Sequence, residues 1–255
     1  MIHFAGLKAV NDSILNPVEY YDNNISGAIS LIKAMKENNI KNLIFSSSAT
    51  VYGEPLSLPI DELHQTNPIN PYGRTKLFVE NFFQDLVISD PTISIASLRY
   101  FNPAGAHDSG LIGETAQSNS NNLIPSLLRA IKRKKPFKIF GDDYKTSDGT
   151  CERDYIHVMD LAEAHLAALI FLKFNRGWNL FNIGTGLAYS VQEVIRNFCK
   201  VNQIKLNVKK EKRREGDVAI SYASPKKANE ILKWKSQRSI KDICTSAWNA
   251  HNKQL

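Results

Sequence analysis

Cysteine is scarce in this chain, and long apolar runs are missing altogether. The three cysteines, Cys151, Cys199 and Cys244, are widely spaced and odd in number. That points to reduced thiols in the cytoplasm rather than to a disulfide framework. Cys151 stands near Arg153 but reads as incidental rather than as a nucleophile. No uninterrupted apolar stretch approaches the roughly 18 residues of a membrane-spanning helix, so no membrane partner is expected. The first residues show no basic region followed by an apolar core, which argues against a signal peptide. A glycine-rich turn is missing as well. The only glycine pair after an apolar run is Gly184-Thr185-Gly186; it lacks a third glycine, lies late in the chain, and is a decoy for the dinucleotide fingerprint. There is no internal repeat and no low-complexity segment.

The net charge of +7 raises the question of nucleic acid. Arg129, Lys132, Arg133, Lys134, Lys135 and Lys138 form one basic cluster, and Lys209, Lys210, Lys212, Arg213 and Arg214 another. No RNP, KH or zinc motif accompanies them, so they read as solvated faces and no nucleic-acid partner is expected. A hydrophobic content of 43% and a charged content of 22% are ordinary for a soluble globular protein. At 255 residues the chain can bury a large core as one domain or two.

What is present is a strand–helix alternation. Lys41-Asn42-Leu43-Ile44-Phe45 is a short apolar run that predicts a buried strand. It runs into Ser46-Ser47-Ser48 and then Ala49-Thr50-Val51-Tyr52-Gly53. Ile25, Ala28, Ile29, Ile32 and Met35 recur at helical spacing between Pro17 and about Asn38, with proline well placed at the start. A helix is expected from Tyr72 to about residue 89, a second strand at Ile93–Phe101, and amphipathic helices at Val191–Val201 and from Ser239 toward the C-terminus. Residues 102–121, rich in Gly, Ser and Asn, read as a loop and a substrate flap.

Tyr72 and Lys76 are four residues apart, so on a helix they share a face. An ammonium beside a phenol lowers the tyrosine pKa from about 10 toward neutrality, and such a tyrosine can act as a general base on a sugar hydroxyl. Taken alone the pair is equally an ordinary solvated helix face, and Ser46–Ser48 an ordinary Ser-rich turn. The order strand, Ser, helix with Tyr and Lys, strand is nevertheless that of a βαβ unit with a triad at its mouth.

Beyond these patterns, the chain resembles the extended short-chain dehydrogenase/reductase family, and within it the branch that inverts carbon 4 of UDP-hexoses. The resembling stretches are spread in family order over nearly the whole chain. They are His3–Val10, Tyr20–Asn24, Phe45–Gly53, Pro71–Lys76, Leu98–Pro103, Asn121–Pro125, Ile139–Gly141, Arg153–Val158 and Arg213–Asp217. One departure stands out. The family opens with a strand, a G-x-x-G-x-x-G turn and a helix that binds the NAD pyrophosphate, and Met1–Gly6 resembles the fourth strand of such a sheet.

The resemblance implies an α/β fold: an N-terminally truncated Rossmann-type parallel sheet with a smaller α/β substrate-binding domain. Residues 1–101 would be the NAD-binding part, with the chain crossing back near 154–185, and residues 102–255 would mainly bind UDP-sugar. Tyr72 would be the base, Lys76 would depress its pKa and bind ribose, and Ser48 would hydrogen-bond the sugar oxygen. Phe4, Ala5, Gly6, Leu7, Lys8, Asn23 and Phe101 match NAD contacts. Asn102, Asn122, Leu123, Phe140, Arg153, Tyr155, Arg214 and Asp217 match UDP contacts. Ser221 matches a position that sets room for an N-acetyl group on the sugar. The helices near 17–38 and 72–89 would pair two copies in a homodimer. Sugar-nucleotide dehydratases carry Asp-Glu after the Ser; Ala49-Thr50 stand there instead, and neither is a general acid.

With the glycine turn missing, the isolated chain is expected to hold no NAD, to be inactive, and to be marginally stable, Ile2 and Phe4 lying on an unpaired edge strand. Two readings stay open at this stage: an epimerase, or a non-catalytic remnant that is at best a weak UDP-sugar-binding module.

Overall fold

The computed structural model describes residues 1–114, 121–214 and 216–253. The chain forms two compact units. The first comprises residues 1–100, 164–183 and 224–234, and the second residues 101–163, 184–223 and 235–255. Residues 224–234 belong to the first unit, whereas the sequence pattern assigns them to the second domain.

The first unit is built on a parallel sheet of four strands. In spatial order these are Ile2–His3, Asn42–Ser48, Ser94–Tyr100 and Gly177–Ile183. The register places Ile44 opposite Ile2 and Ala96, and Leu98 opposite Ser46 and Phe181. Leu43, Ile44, Phe45, Ile95, Ala96 and Leu98 are all buried, which accounts for strands that read as apolar runs rather than as alternation. Two helices cover the face that carries Leu43, Phe45 and Ile95. Gly27–Glu37 contributes Ala28, Ile32 and Met35, and Pro71–Ser89 contributes Val79, Phe83 and Leu86.

The first of these helices is entered through Pro17–Tyr21 and a π-helical segment, Asp22–Ser26. Pro71–Ser89 begins at an Asn70 cap, whose side chain accepts the Gly73 amide at 2.9 Å, with proline in the first turn. Among the described residues, Ile2–His3 pairs on one side only, with Asn42–Ser48. Ile2 and Phe4 are exposed there, the kind of open edge that favours association.

The second unit holds small ladders and three main helices. Phe137–Phe140 pairs in parallel with Val208–Glu211, and Asn102–Ala104 with Tyr155–His157. Glu152–Arg153 lies between Ile220–Ser221 and Tyr189–Ser190. Helices Leu123–Lys132, Val191–Val201 and Ile240–Lys253 enclose a core that includes Leu127, Phe198 and Ile243.

The loop expected at 102–121 is in part regular. Asn102–Ala104 is a strand because the Asn102 amide donates to the Asp154 carbonyl at 3.0 Å. Residues 115–120, within the expected flap, and Glu215 of the Arg213–Asp217 motif lie outside the described residues.

Candidate active site

At the carboxyl end of the Asn42–Ser48 strand, Ser48 caps a single turn, Ala49–Val51. Its hydroxyl oxygen accepts the Thr50 amide at 3.3 Å and the Thr50 hydroxyl at 3.0 Å. With both acceptor directions used by Thr50, the Ser48 proton remains free to be given to another acceptor, and Ser48 is the side chain that opposes the rise of the Tyr72 pKa.

The Tyr72 helix is brought close by a glycine. A Cβ on Gly73 would stand 2.8 Å from the Thr50 carbonyl oxygen and 2.9 Å from Pro68 Cβ. Only glycine lets the first turn of the helix press onto the Ser48–Thr50 segment.

Burial raises the Tyr72 phenol above its ordinary pKa, and the hydrogen bond from Ser48 works against that rise. This corrects the expectation that Lys76 brings the phenol toward neutrality. The Lys76 ammonium lies 5.8 Å from the Tyr72 ring centroid, donates to the Ser46 carbonyl at 2.7 Å and covers the Phe45 ring at 4.9 Å. It is also weakened itself: burial lowers its pKa to about 8, with the Glu80 carboxylate opposing. An ammonium bound to a backbone carbonyl and 5.8 Å from the ring centroid does little to stabilise a phenolate. Among the described residues, the Ser48 hydroxyl favours it.

Phe4, Ala5, Gly6 and Lys8 form an exposed ribbon with Leu7 half-buried. The ribbon is tied to the site by Asn24. The Asn24 side chain accepts the Leu7 amide at 2.8 Å and donates to the Leu7 carbonyl at 3.1 Å and to Thr75 Oγ1 at 3.0 Å. Gly6 sits at φ +153°, and a Cβ there would come 3.1 Å from Asn24 Oδ1 and 3.7 Å from Lys76 Nζ. The glycine thus lets the ribbon backbone pass close to Asn24 and the Lys76 ammonium. Asn23 is exposed and Asn24 buried, so Asn24 is the residue that organises this ribbon. Its signal was available in the sequence: 24, 28, 32 and 35 share a helical face, and a lone Asn among Ala28, Ile32 and Met35 marks a buried polar contact.

In the second unit, Arg153 and Ser221 face each other across one ladder. Arg153 donates to the Glu152 carbonyl at 2.9 Å and pairs with Asp217 at 4.0 Å. The Arg214 guanidinium stacks 3.9 Å over Phe140 and bonds the Asn121 carbonyl at 3.5 Å. Asn102 heads its short strand, and Asn122 and Leu123 open the helix Leu123–Lys132. Phe101 is buried. Tyr155 differs from the others, since it is buried in this unit's core and burial pushes its phenol up.

Gly184-Thr185-Gly186 has another task than holding a dinucleotide. Its amides at Thr185 and Gly186, with that of Ala223, donate to the buried Asp154 carboxylate. A Cβ on Gly184 would stand 2.5 Å from that carboxylate. Asp154 follows Arg153 and precedes Tyr155, so this clamp fixes the strand that presents Arg153.

Comparison with known proteins agrees with this arrangement. Residues 1–184 match the NAD dependent epimerase/dehydratase family. The chain is 48% identical over 250 residues to human UDP-glucose 4-epimerase, covering 97% of this chain and 72% of that protein. It is 50% identical over 261 residues to the bifunctional protein GAL10 of Pachysolen tannophilus, covering 98% of this chain and 37% of that one. The structure is similar to that of UDP-glucose 4-epimerase from Bifidobacterium longum in complex with NAD+ and UDP. That match has a TM-score of 0.94 and 46% identity, and covers 99% of this chain and 76% of that one. The chain therefore spans about three-quarters of the single-function relatives and little more than a third of the bifunctional one.

Proposed function

We propose, from the premise that this chain belongs to the NAD dependent epimerase/dehydratase family, that it carries the catalytic and uridine-nucleotide-binding residues of a UDP-hexose 4-epimerase interconverting UDP-galactose and UDP-glucose. The observation that carries this reading is the placing of Lys76 5.8 Å from the Tyr72 ring centroid, on the helix whose first turn packs against the Thr50-bonded Ser48 segment. Tyr72 takes the proton from the sugar O4, and Ser48 hydrogen-bonds the same oxygen and shortens the proton's path. Lys76 holds ribose hydroxyls and, where charged, favours the phenolate. NAD, when bound, supplies the hydride acceptor and donor at carbon 4, and its positive ring offsets the burial that raises Tyr72. Phe4, Ala5, Gly6, Leu7, Lys8, Asn23 and Phe101 are assigned to the NAD side of the site.

Arg153 and Arg214 suit a diphosphate because guanidinium forks bind phosphate bidentately. Asp217 suits ribose hydroxyls, and Asn102, Asn122, Leu123 and Phe140 the rest of the UDP. Tyr155 supports the floor of that site. Ser221 leaves room for a C2 acetamido group. Residues 1–101 serve mainly the cofactor and 102–255 mainly the UDP-sugar. Exposed Val18, Tyr21 and Phe78 on the helices of the first unit suit a homodimer. The odd count of dispersed cysteines suits the cytoplasm, and among the described residues no helix is long and apolar enough to cross a membrane.

The test is conversion of UDP-galactose by the chain with added NAD, and by the chain fused to the N-terminal portion of human UDP-glucose 4-epimerase that it does not cover. The fusion should turn over, and Tyr72→Phe should reduce turnover by about 100-fold or more. A folded fusion that binds UDP without turnover would leave a UDP-sugar-binding module instead.

A further inference from the structure

Behind the catalytic face lies a buried charge cluster that the reaction above does not use. Glu80, fully buried, accepts from Arg99 Nε at 3.0 Å and Nη2 at 2.5 Å, and from the Ser47 hydroxyl at 2.5 Å. Arg99 in turn covers the Tyr52 ring at 4.6 Å. The Tyr52 hydroxyl donates to Asn182 at 2.7 Å, and the Asn182 side chain donates to the Ile60 carbonyl at 3.0 Å. Ser47 adjoins Ser48, and Glu80 is one helical turn beyond Lys76 and two beyond Tyr72. A buried ion pair in an apolar sheet is costly and seldom a gain in stability by itself, so its place one turn from Lys76 calls for a reason.

We propose that Glu80, clamped by Arg99 and Ser47 one helical turn from Lys76, is a positioning residue that keeps the Lys76 ammonium charged beside Tyr72. The charged and polar groups of the sheet strands and of its own helix nearest Lys76 are these. The Ile2–His3 strand offers His3, whose proton is disfavoured by burial first and by Lys76 second. The Asn42–Ser48 strand offers the Ser46 carbonyl and the Phe45 face. The Ser94–Tyr100 strand offers Arg99, of the same sign as Lys76 and bound to Glu80. Their own helix offers Tyr72, an acid held neutral by burial. Among these groups Glu80 is the anion, and against the burial that lowers the Lys76 pKa its charge raises it. The Arg99 fork and the Ser47 hydroxyl hold the carboxylate ionised where an unpaired buried acid would take up a proton.

The inference rests on the assigned role of Lys76, and its test reads that residue directly. Epimerase turnover can therefore fail without touching the result, and the reverse also holds. The Lys76 side chain is titrated by NMR in the full chain labelled at lysine Cε, its signal identified by its loss in Lys76→Met. In Glu80→Gln the midpoint should fall by about one pH unit or more, and Glu80→Asp should recover at least half of that shift. Should Glu80→Gln fail to fold, the double variant Glu80→Gln/Arg99→Met should show a smaller downward shift, because the departing Arg99 charge offsets part of the loss. An unchanged Lys76 midpoint in either folded variant overturns the proposal.

Discussion

Replacing Lys76 by methionine should change how stability depends on pH, and the size of the effect follows from its burial. Lys76 is only 5% exposed, and burial lowers its pKa from 10.5 to about 8. As pH rises, the folded chain gives up this proton before the unfolded chain does. Between about pH 8 and 10.5 the unfolded state thus binds more protons, and stability from this group increases with pH. Below about pH 8 the full penalty is present. A shift of about 2.5 units corresponds to about 3 kcal/mol at 1.36 kcal/mol per unit. Between pH 7 and 9.5 about 2 kcal/mol of that should be recovered.

Methionine has similar bulk and does not titrate, so the difference in unfolding free energy between the two proteins isolates the lysine. Urea unfolding of both chains at half-unit steps from pH 7 to 9.5 is the assay. The wild type should gain on Lys76→Met by about 2 kcal/mol across that range. Parallel pH profiles would refute the claim that Lys76 is held as a buried, weakened ammonium.

Three further outcomes are expected. In the fused, active protein Ser221→Tyr should abolish turnover of UDP-N-acetylgalactosamine and spare UDP-galactose, since a phenol excludes only the larger sugar; equal damage to both activities would remove Ser221 from the sugar pocket. Asp154→Ala should cost about 3–5 kcal/mol in urea unfolding, because it leaves the Thr185, Gly186 and Ala223 amides without their buried acceptor; a loss below about 1 kcal/mol would show that water or a shifted loop replaces it. Burial lowers the pKa of His157, so the unfolded chain takes up that proton first and stability falls as pH drops below about 6.5. His157→Gln should shallow that fall, and an unaltered slope between pH 5 and 6.5 would rule the residue out as its source.

Much of the first unit was legible because its signals are local. The apolar run at 42–45, the helical spacing of Ile25 to Met35, and the Asn70-Pro71 start each depend on neighbours within a turn or a strand. The spacing of Tyr72 and Lys76 likewise places both on one helix without any knowledge of the rest. Tertiary structure alone decided the electrostatics. Whether a lysine four residues away lowers a tyrosine's pKa depends on where its ammonium points and how much water it keeps, and here it points to the Ser46 carbonyl and loses most of its water.

The same holds for Thr50, an unremarkable residue in sequence that frees the Ser48 proton by occupying its oxygen. Gly184-Thr185-Gly186 looked like a damaged dinucleotide turn, yet its amides close around a carboxylate some thirty residues earlier. Glu80 and Arg99 carry no motif. They meet only because a parallel strand returns beside the helix, and long-range pairing of this kind leaves no period in the sequence. Local spacing by itself put Tyr72 and Lys76 on one helix; the protonation states on which their work depends were set by burial and by partners distant along the chain.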